Sequence, residues 1–206
     1  MVDTDFERHL WRTHDFVCGV DEAGRGPLAG PVVAAAVVFP KGFSPNGILK
    51  NVTDSKKLSI SERASLEVAI KESAYGFSVK SVTHEVIDSI NILNATFQAM
   101  NEAIASLSPL PSYLLIDGNR FSPALPLPFE TVVKGDSRVY SIAAASILAK
   151  TARDRIMKEF DQLYPGYGFA HHYGYATSEH INAIRKLGRS QIHRKTFLLK
   201  ALGEKG

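Results

Sequence analysis

The stretch Gly19-Val20-Asp21-Glu22-Ala23-Gly24-Arg25-Gly26-Pro27-Leu28-Ala29-Gly30-Pro31 constrains this chain more than any other. The apolar run from Phe16 to Val20 leads straight into two adjacent carboxylates. A loop with glycine at 24, 26 and 30 and proline at 27 and 31 then follows. Neighbouring acids beside a core repel each other, and both lose solvation on burial. A fold that keeps them must bring positive charge to that place.

The surrounding pattern is that of an α/β domain. Phe16 to Asp21 and Val32 to Phe39, β-branched and bounded by glycine and proline, predict two buried strands. Asn46 to Lys57 reads as a polar loop. It leads into a helix whose start, Ser59-Ile60-Ser61-Glu62, has the form of a capping box, with Leu66, Ala69 and Ile70 on the core face. Tyr75 to Val86 predicts a strand. Ile90, Leu93, Phe97, Met100 and Ile104 step by three and four, an amphipathic helix that Pro109 and Pro111 end. Tyr113 to Asn119 predicts a short apolar strand closed by Asp117-Gly118, and Glu130 to Val133 another, followed by Lys134-Gly135-Asp136-Ser137. From Arg138 an alanine-rich stretch predicts a long helix. Beyond Tyr164 to Tyr175, an aromatic and glycine-rich loop, a helix capped by Thr177 or Ser178 runs to Gly188. One α/β domain with a C-terminal helical appendage accounts for this order.

Charge and cysteine content narrow the class. Of the net +3, the segment from Thr151 to Gly206 carries +5, with ten Lys or Arg against five Asp or Glu, and the rest carries −2. A basic tail suits a polyanionic partner, and solvated surface charge accounts for it equally well. The single cysteine, Cys18, sits in an apolar run as a small buried hydrophobe and excludes an intramolecular disulfide. No run approaches the roughly 18 apolar residues of a membrane span. Asp3, Asp5 and Glu7 do not form a secretory signal. A soluble, cytoplasmic protein is expected.

Three apolar strands end in or run into an acid: Asp21 with Glu22, Asp117, and Asp136. Ligands of open α/β sheets gather at strand ends. Carboxylates collected there are tolerable when divalent cations neutralise them, and all-oxygen ligation suits Mg²⁺ or Mn²⁺ rather than Zn²⁺. Two ions about 4 Å apart can clamp both oxygens of an in-line phosphoryl displacement. Taken singly, Asp117-Gly118 also reads as a turn and Asp136-Ser137 as a helix cap. Neither role needs the pair at 21 and 22. Gly24-Arg25-Gly26 can bring backbone N–H groups close to a phosphate or hydroxyl, or can simply be a tight connection; it lacks the Lys-Ser/Thr ending of a P-loop. His171 and His172, being adjacent, do not converge on one ion.

Together these segments resemble bacterial ribonuclease HII. The resemblance is carried by Asp21 to Pro31, Asp54-Ser55-Lys56-Lys57-Leu58, Asp117-Gly118-Asn119, Lys134-Gly135-Asp136-Ser137, Ala143 to Lys150, Tyr167-Gly168-Phe169 and Ile192 to Phe197, in the family's order. The related HIII type usually carries an extra N-terminal domain and lacks Gly-Arg-Gly after the acid pair. The resemblance implies a ribonuclease H-like fold, a central five-stranded mixed sheet flanked by helices. Residues 1–160 would be the catalytic domain, and residues 161–206 a C-terminal helical substrate-binding segment packed on it.

The resemblance also implies an endoribonuclease that uses Mg²⁺ or Mn²⁺. It would cut the RNA strand of RNA–DNA hybrids and nick 5′ of single ribonucleotides in duplex DNA, leaving 3′-hydroxyl and 5′-phosphate ends. Asp21, Glu22, Asp117 and Asp136 would hold the metal. Gly24, Arg25 and Gly26 would read the ribose through its 2′-hydroxyl, and Tyr175 would stack on the neighbouring deoxyribose. Lys57 and Arg194 would contact phosphates, with Lys56 and Lys195 as further basic residues. A monomer is expected, with a replication clamp as a candidate partner.

Tyr173 and Ala176 depart from the family's usual Lys and Gly, which puts substrate affinity, and the identity of the stacking ring, in question. The rival readings are another phosphoryl transferase on the same fold and a non-catalytic nucleic-acid-binding module.

Overall fold

Short runs rich in β-branched and other apolar residues form strands, and in this chain they assemble into one sheet. The structure, a computed structural model, describes residues 2–199 and 203–204. Five strands, β1 (Val17–Ala23), β2 (Val32–Val38), β3 (Gly76–Val82), β4 (Tyr113–Asp117) and β5 (Phe129–Val132), lie in the order β3-β2-β1-β4-β5. β1 is antiparallel to β2 and parallel to β4; β2–β3 is antiparallel and β4–β5 parallel. This is the mixed five-stranded sheet expected from the sequence.

Helices cover both faces. On one, Cys18, Val20 and Ile116 pack against Ile87, Ala99, Met100 and Ala103 of α3 (His84–Ala105). On the other, Val17, Ala35, Val37 and Leu115 meet α2 (Ile60–Ser73) and α4 (Tyr140–Leu163). Burial on both faces explains why β1 and β2 read as continuous apolar runs. Gly19 lets α4 approach closely: a Cβ there would fall 2.2 Å from the Ser141 carbonyl carbon. That contact fixes α4 against the strand that carries Asp21.

The capping box at Ser59 and Glu62 forms as read. Several boundaries differ. β1 runs past Asp21 to Ala23, and β3 ends at Val82, so that α3 begins at His84, inside the stretch read as a strand up to Val86. β-Branched Thr83 and Val86 make the first turn of α3 resemble a strand when read locally. Asn91 (φ 66°) then breaks α3, and its Oδ1 accepts from the N–H groups of Leu93 and Asn94, restarting the helix. α4 starts at Tyr140, since Gly135–Ser137 forms a separate 3₁₀ turn.

An N-terminal helix, α1 (Asp5–Leu10), had no counterpart in the sequence reading. Its Glu7 is buried, and one carboxylate oxygen accepts from both the N–H and the hydroxyl of Ser141 at 2.7 Å. Val139, the N-cap of α4, has no side chain able to satisfy the first-turn amides, so Glu7 supplies that acceptor from 134 residues away. Burial raises the Glu7 pKa.

After α4 the chain forms α5 (Phe169–His172) and α6 (Ser178–Leu187). Phe169, Ile184 and Ile192 pack on Leu28, Ala29 and Met157, and Ala29 bridges to His193, so the C-terminal segment lies against the glycine loop. Among the described residues no helix is long and apolar enough to cross a membrane. Replacing Glu7 by Ala leaves the Ser141 donors without a partner and is expected to cost about 1–3 kcal/mol, with Glu7→Gln losing less. Thermal melting of the two variants checks the order.

Candidate active site

The register of β1 against β4 creates the acidic cluster. Val20 pairs with Ile116, so the next residue on each parallel strand, Asp21 and Asp117, emerge side by side at the C-terminal ends. Asp21, Glu22 and Asp117 each present an oxygen within 4.8 Å of the others. Asp117 Oδ1 accepts from the Gly135 N–H at 2.6 Å, which ties the strand end to the turn that carries Asp136. Asp136 raises the charge density further without being part of that close trio.

The cations near these acids are too exposed to neutralise them. Arg25 reaches Glu22 at 3.3 Å and Lys56 reaches Asp136 at 3.9 Å, with half or more of each basic side chain in solvent. Burial, followed by the charges of Glu22 and Asp117, holds the Asp21 carboxyl well above its ordinary pKa. Burial likewise raises Glu22, against the pull of Arg25, and raises Asp136, with Asp117 adding to the effect. The Ser146 hydroxyl, itself 3.0 Å from that of Ser55, lies near Asp21 and partly offsets the effect of its burial. A compact, all-carboxylate donor set that protein cations leave under-compensated fits a hard divalent ion such as Mg²⁺ or Mn²⁺.

An open cleft of about 500 Å³ contains these acids, the Gly24–Gly26 loop, Lys56, Lys150 and Tyr175. Tyr175 is exposed and stands next to Gly26 in the lining of this cleft, where a Cβ added to the glycine would lie 3.6 Å from its ring. Tyr173 does not line the cleft; it is half-buried, with the Lys150 ammonium 4.6 Å from its ring centroid.

Two expected phosphate contacts are placed differently. Lys57 is exposed but does not line the cleft, whereas its neighbour Lys56 does. Arg194 is fully buried, and its guanidinium donates to carbonyls of the glycine loop instead of facing a ligand. The polar loop around it supplies the acceptors, a context its basic neighbours in sequence do not show. Ser146 and Lys150, which line the cleft, and Arg153, buried beneath the glycine loop, were missed in the sequence. Their spacing of four and three places them on one face of α4, a signal available in the alanine-rich stretch.

Buried histidines hold the Tyr175 segment. His193 Nδ1 accepts from the Ser190 N–H at 2.8 Å, which leaves its Nε2–H to donate to His180 Nε2 at 3.0 Å. His180 Nδ1–H then donates to the Tyr175 carbonyl at 2.9 Å. Burial pulls the pKa of both rings down to about 4.

The ribonuclease HII family model matches residues 18–200. The chain belongs to the ribonuclease HII family. Ribonuclease HII of Chloroherpeton thalassium is 58% identical over 99% of this chain and 100% of its own length, and that of Pelodictyon phaeoclathratiforme is 59% identical over 98% of each. Among solved structures, ribonuclease H2 from Pyrococcus horikoshii matches with a TM-score of 0.71 and 26% identity, covering 88% of this chain and 93% of that one. The ribonuclease HII in a PCNA complex from Archaeoglobus fulgidus matches with a TM-score of 0.74 and 25% identity, covering 89% and 96%. Ribonuclease HII enzymes cleave the RNA of RNA–DNA hybrids and depend on Mg²⁺ or Mn²⁺, and the chain is an enzyme of this divalent-metal-dependent type.

Because the folded protein raises the Asp21 pKa, metal-free stability falls as pH rises from the ordinary Asp value through the raised one. Asp21→Asn is therefore expected to melt higher than the parent at pH 7 without metal, by about 2–4 °C per kcal/mol of relieved repulsion. It is also expected to lose most of the parent's Mn²⁺-induced rise in melting temperature. For His180 and His193 the depressed folded pKa means that their contribution is complete above the unfolded value of about 6.5 and is lost as pH falls toward 4. Ring resonances followed by NMR should show both still neutral at pH 5.5.

Proposed function

We propose that this enzyme recognises a single ribonucleotide within duplex DNA as well as longer hybrids. It would hydrolyse the phosphodiester on the 5′ side, leaving 3′-hydroxyl and 5′-phosphate ends. The observation that carries this reading is that the Gly24–Gly26 loop and the neighbouring Tyr175 line the same cleft as the carboxylate cluster. A nuclease selecting RNA must test the 2′-hydroxyl of the sugar next to the phosphate it cuts. The loop, the ring and the cluster have that adjacency.

Asp21, Glu22, Asp117 and Asp136 are the residues that would hold the metal. When bound, two Mg²⁺ or Mn²⁺ ions supply activation of the attacking water and stabilisation of charge on the departing 3′-oxygen. The chain's own groups do the selecting. Main-chain N–H groups of Gly24, Arg25 and Gly26 face the ribose, and Tyr175 offers its ring to the adjacent deoxyribose and its hydroxyl to the 2′-oxygen. Lys56 and Lys150 line the cleft as cations for the scissile strand, while Lys57, exposed beside Lys56, is available to phosphates of a longer duplex. The segment from residue 161 onward, which packs on the glycine loop, serves as the substrate-binding side of the molecule.

A cytoplasmic setting accords with a DNA substrate and with Cys18 as a buried free thiol. A replication clamp as partner is supported by the Archaeoglobus neighbour, whose structure is of a PCNA complex. The chain end expected to meet a clamp includes residues 200–202 and 205–206, outside the described residues.

The test is a labelled duplex with one ribonucleotide beside an all-DNA duplex, each with Mg²⁺, with Mn²⁺ and with chelator. A metal-dependent nick 5′ of the ribonucleotide alone is expected, and Asp136→Asn should lose most of it with the fold retained. Equal cutting of the all-DNA duplex, or cutting of long hybrids only, would refute the reading.

A further inference from the structure

Two guanidinium groups lie beneath the glycine loop without a carboxylate to neutralise them. Arg153, on α4, and Arg194, in the C-terminal segment, are 1% and 0% exposed. Buried arginine is ordinarily paired with an acid. Among the described residues Arg8, Arg25, Arg63, Arg155 and Arg189 form such ion pairs, and these two do not.

Their donors go to main-chain carbonyls. Arg153 Nε donates to Pro31 O at 3.0 Å, Nη2 to Ala29 O at 3.1 Å and Nη1 to Tyr173 O at 3.0 Å. Arg194 Nη2 donates to Gly24 O at 2.6 Å and Pro31 O at 3.2 Å, Nη1 to Arg25 O at 3.0 Å and Nε to Gly30 O at 3.0 Å. Five of the six acceptors belong to the loop from residue 24 to 31. The sixth is in the segment that carries Tyr175, and the Pro31 carbonyl is shared by both arginines.

Peptide geometry turns this into a directional effect. In a trans peptide the C=O of one residue and the N–H of the next point opposite ways. With the Gly24 and Arg25 carbonyls drawn inward, the N–H groups of Arg25 and Gly26 are aimed away from the arginines, and both residues line the cleft. Among the described residues these two amides find no acceptor in the hydrogen bonding of the loop. Gly24 is required by the same arrangement: its φ is 99°, and a Cβ would come 2.1 Å from Arg153 Nε.

We propose that Arg153 and Arg194 are paired positioning residues that set the orientation of the Arg25 and Gly26 amides and fix their distance from the Tyr175 ring, and so determine ribose selectivity without touching the substrate. The inference rests on the reading that this loop reads the 2′-hydroxyl. Arginine suits the task because a planar fork can span several carbonyls at fixed angles, whereas a lysine ammonium is a single point. Lysine variants therefore keep the charge and remove the geometry.

The experiment compares the parent with Arg153→Lys and Arg194→Lys. Binding to a one-ribonucleotide duplex and to an all-DNA duplex is measured by fluorescence anisotropy in Ca²⁺, with Mn²⁺ affinity by calorimetry and melting temperature alongside. Each variant is expected to lose about tenfold or more of the parent's preference for the ribonucleotide duplex, with Mn²⁺ affinity within about twofold. A purely structural role would lower the melting temperature and leave the preference intact, and a folded variant with the parent's preference overturns the proposal.

Amide resonances of the unmodified protein keep the test decisive even where a variant does not fold. Arg25 and Gly26 N–H shifts should respond to the ribonucleotide duplex and not to all-DNA, and no difference between the two overturns the proposal. A parent with no ribonucleotide preference would refute the functional reading itself. A parent with the preference, and lysine variants that share it, refutes only the role of the arginines.

Discussion

Mutual repulsion among Asp21, Glu22 and Asp117 shapes the whole region at the C-terminal ends of β1 and β4. These carboxylates are brought within 4.8 Å of one another in a place where burial already disfavours their charge. The fold tolerates this because the sheet and α4 are bound together elsewhere. Gly19 allows close contact between β1 and α4, Glu7 satisfies the start of that helix, and Ala35 of β2 packs with the alanines along α4. The acids then sit on a rigid base, where a divalent ion can offset what the protein's own cations do not. Instability at the site is the expected accompaniment of a strongly charged catalytic centre.

Beside the acids the polarity of the construction reverses. The glycine loop, with its carbonyls turned inward, rests on two buried arginines. A relay of hydrogen bonds from Ser190 through His193 and His180 ends on the Tyr175 carbonyl. Carboxylates, the glycine loop and an aromatic ring thus line one cleft. The C-terminal segment supports the last two, since His180, His193 and Arg194 all lie within it.

Much of this was legible in the chain. The end of β4 at Asp117 and the start of α2 at Ser59 follow from local signals, with side chains, turns and caps encoded within a few residues of each other, whereas β1 runs past Asp21 because it pairs with β2 as far as Ala23. Tyr175 was identified through family resemblance, and the structure separates it from Tyr173, which stands beside Lys150 instead. The first turn of α3, the break at Asn91 and the helix at Asp5–Leu10 were not legible. β-Branched Thr83 and Val86 made that turn read as the end of a strand, and the N-terminal helix is short and held by a contact with Ser141 that lies 134 residues away.

Sequence alone determined which strands would lead to the acids, which residues would carry charge and which metal chemistry their oxygens suit, because those properties belong to residue type and short-range order. Tertiary structure decided the fate of the long basic side chains. Lys56 and Lys57 are neighbours with the same chemistry, yet only Lys56 lines the cleft. Arg194, which belongs to a basic and exposed-looking stretch, is buried under the glycine loop. A guanidinium can be solvated by water or by a set of carbonyls, and only the packing of α4 and the C-terminal segment against residues 24–31 supplies the carbonyls.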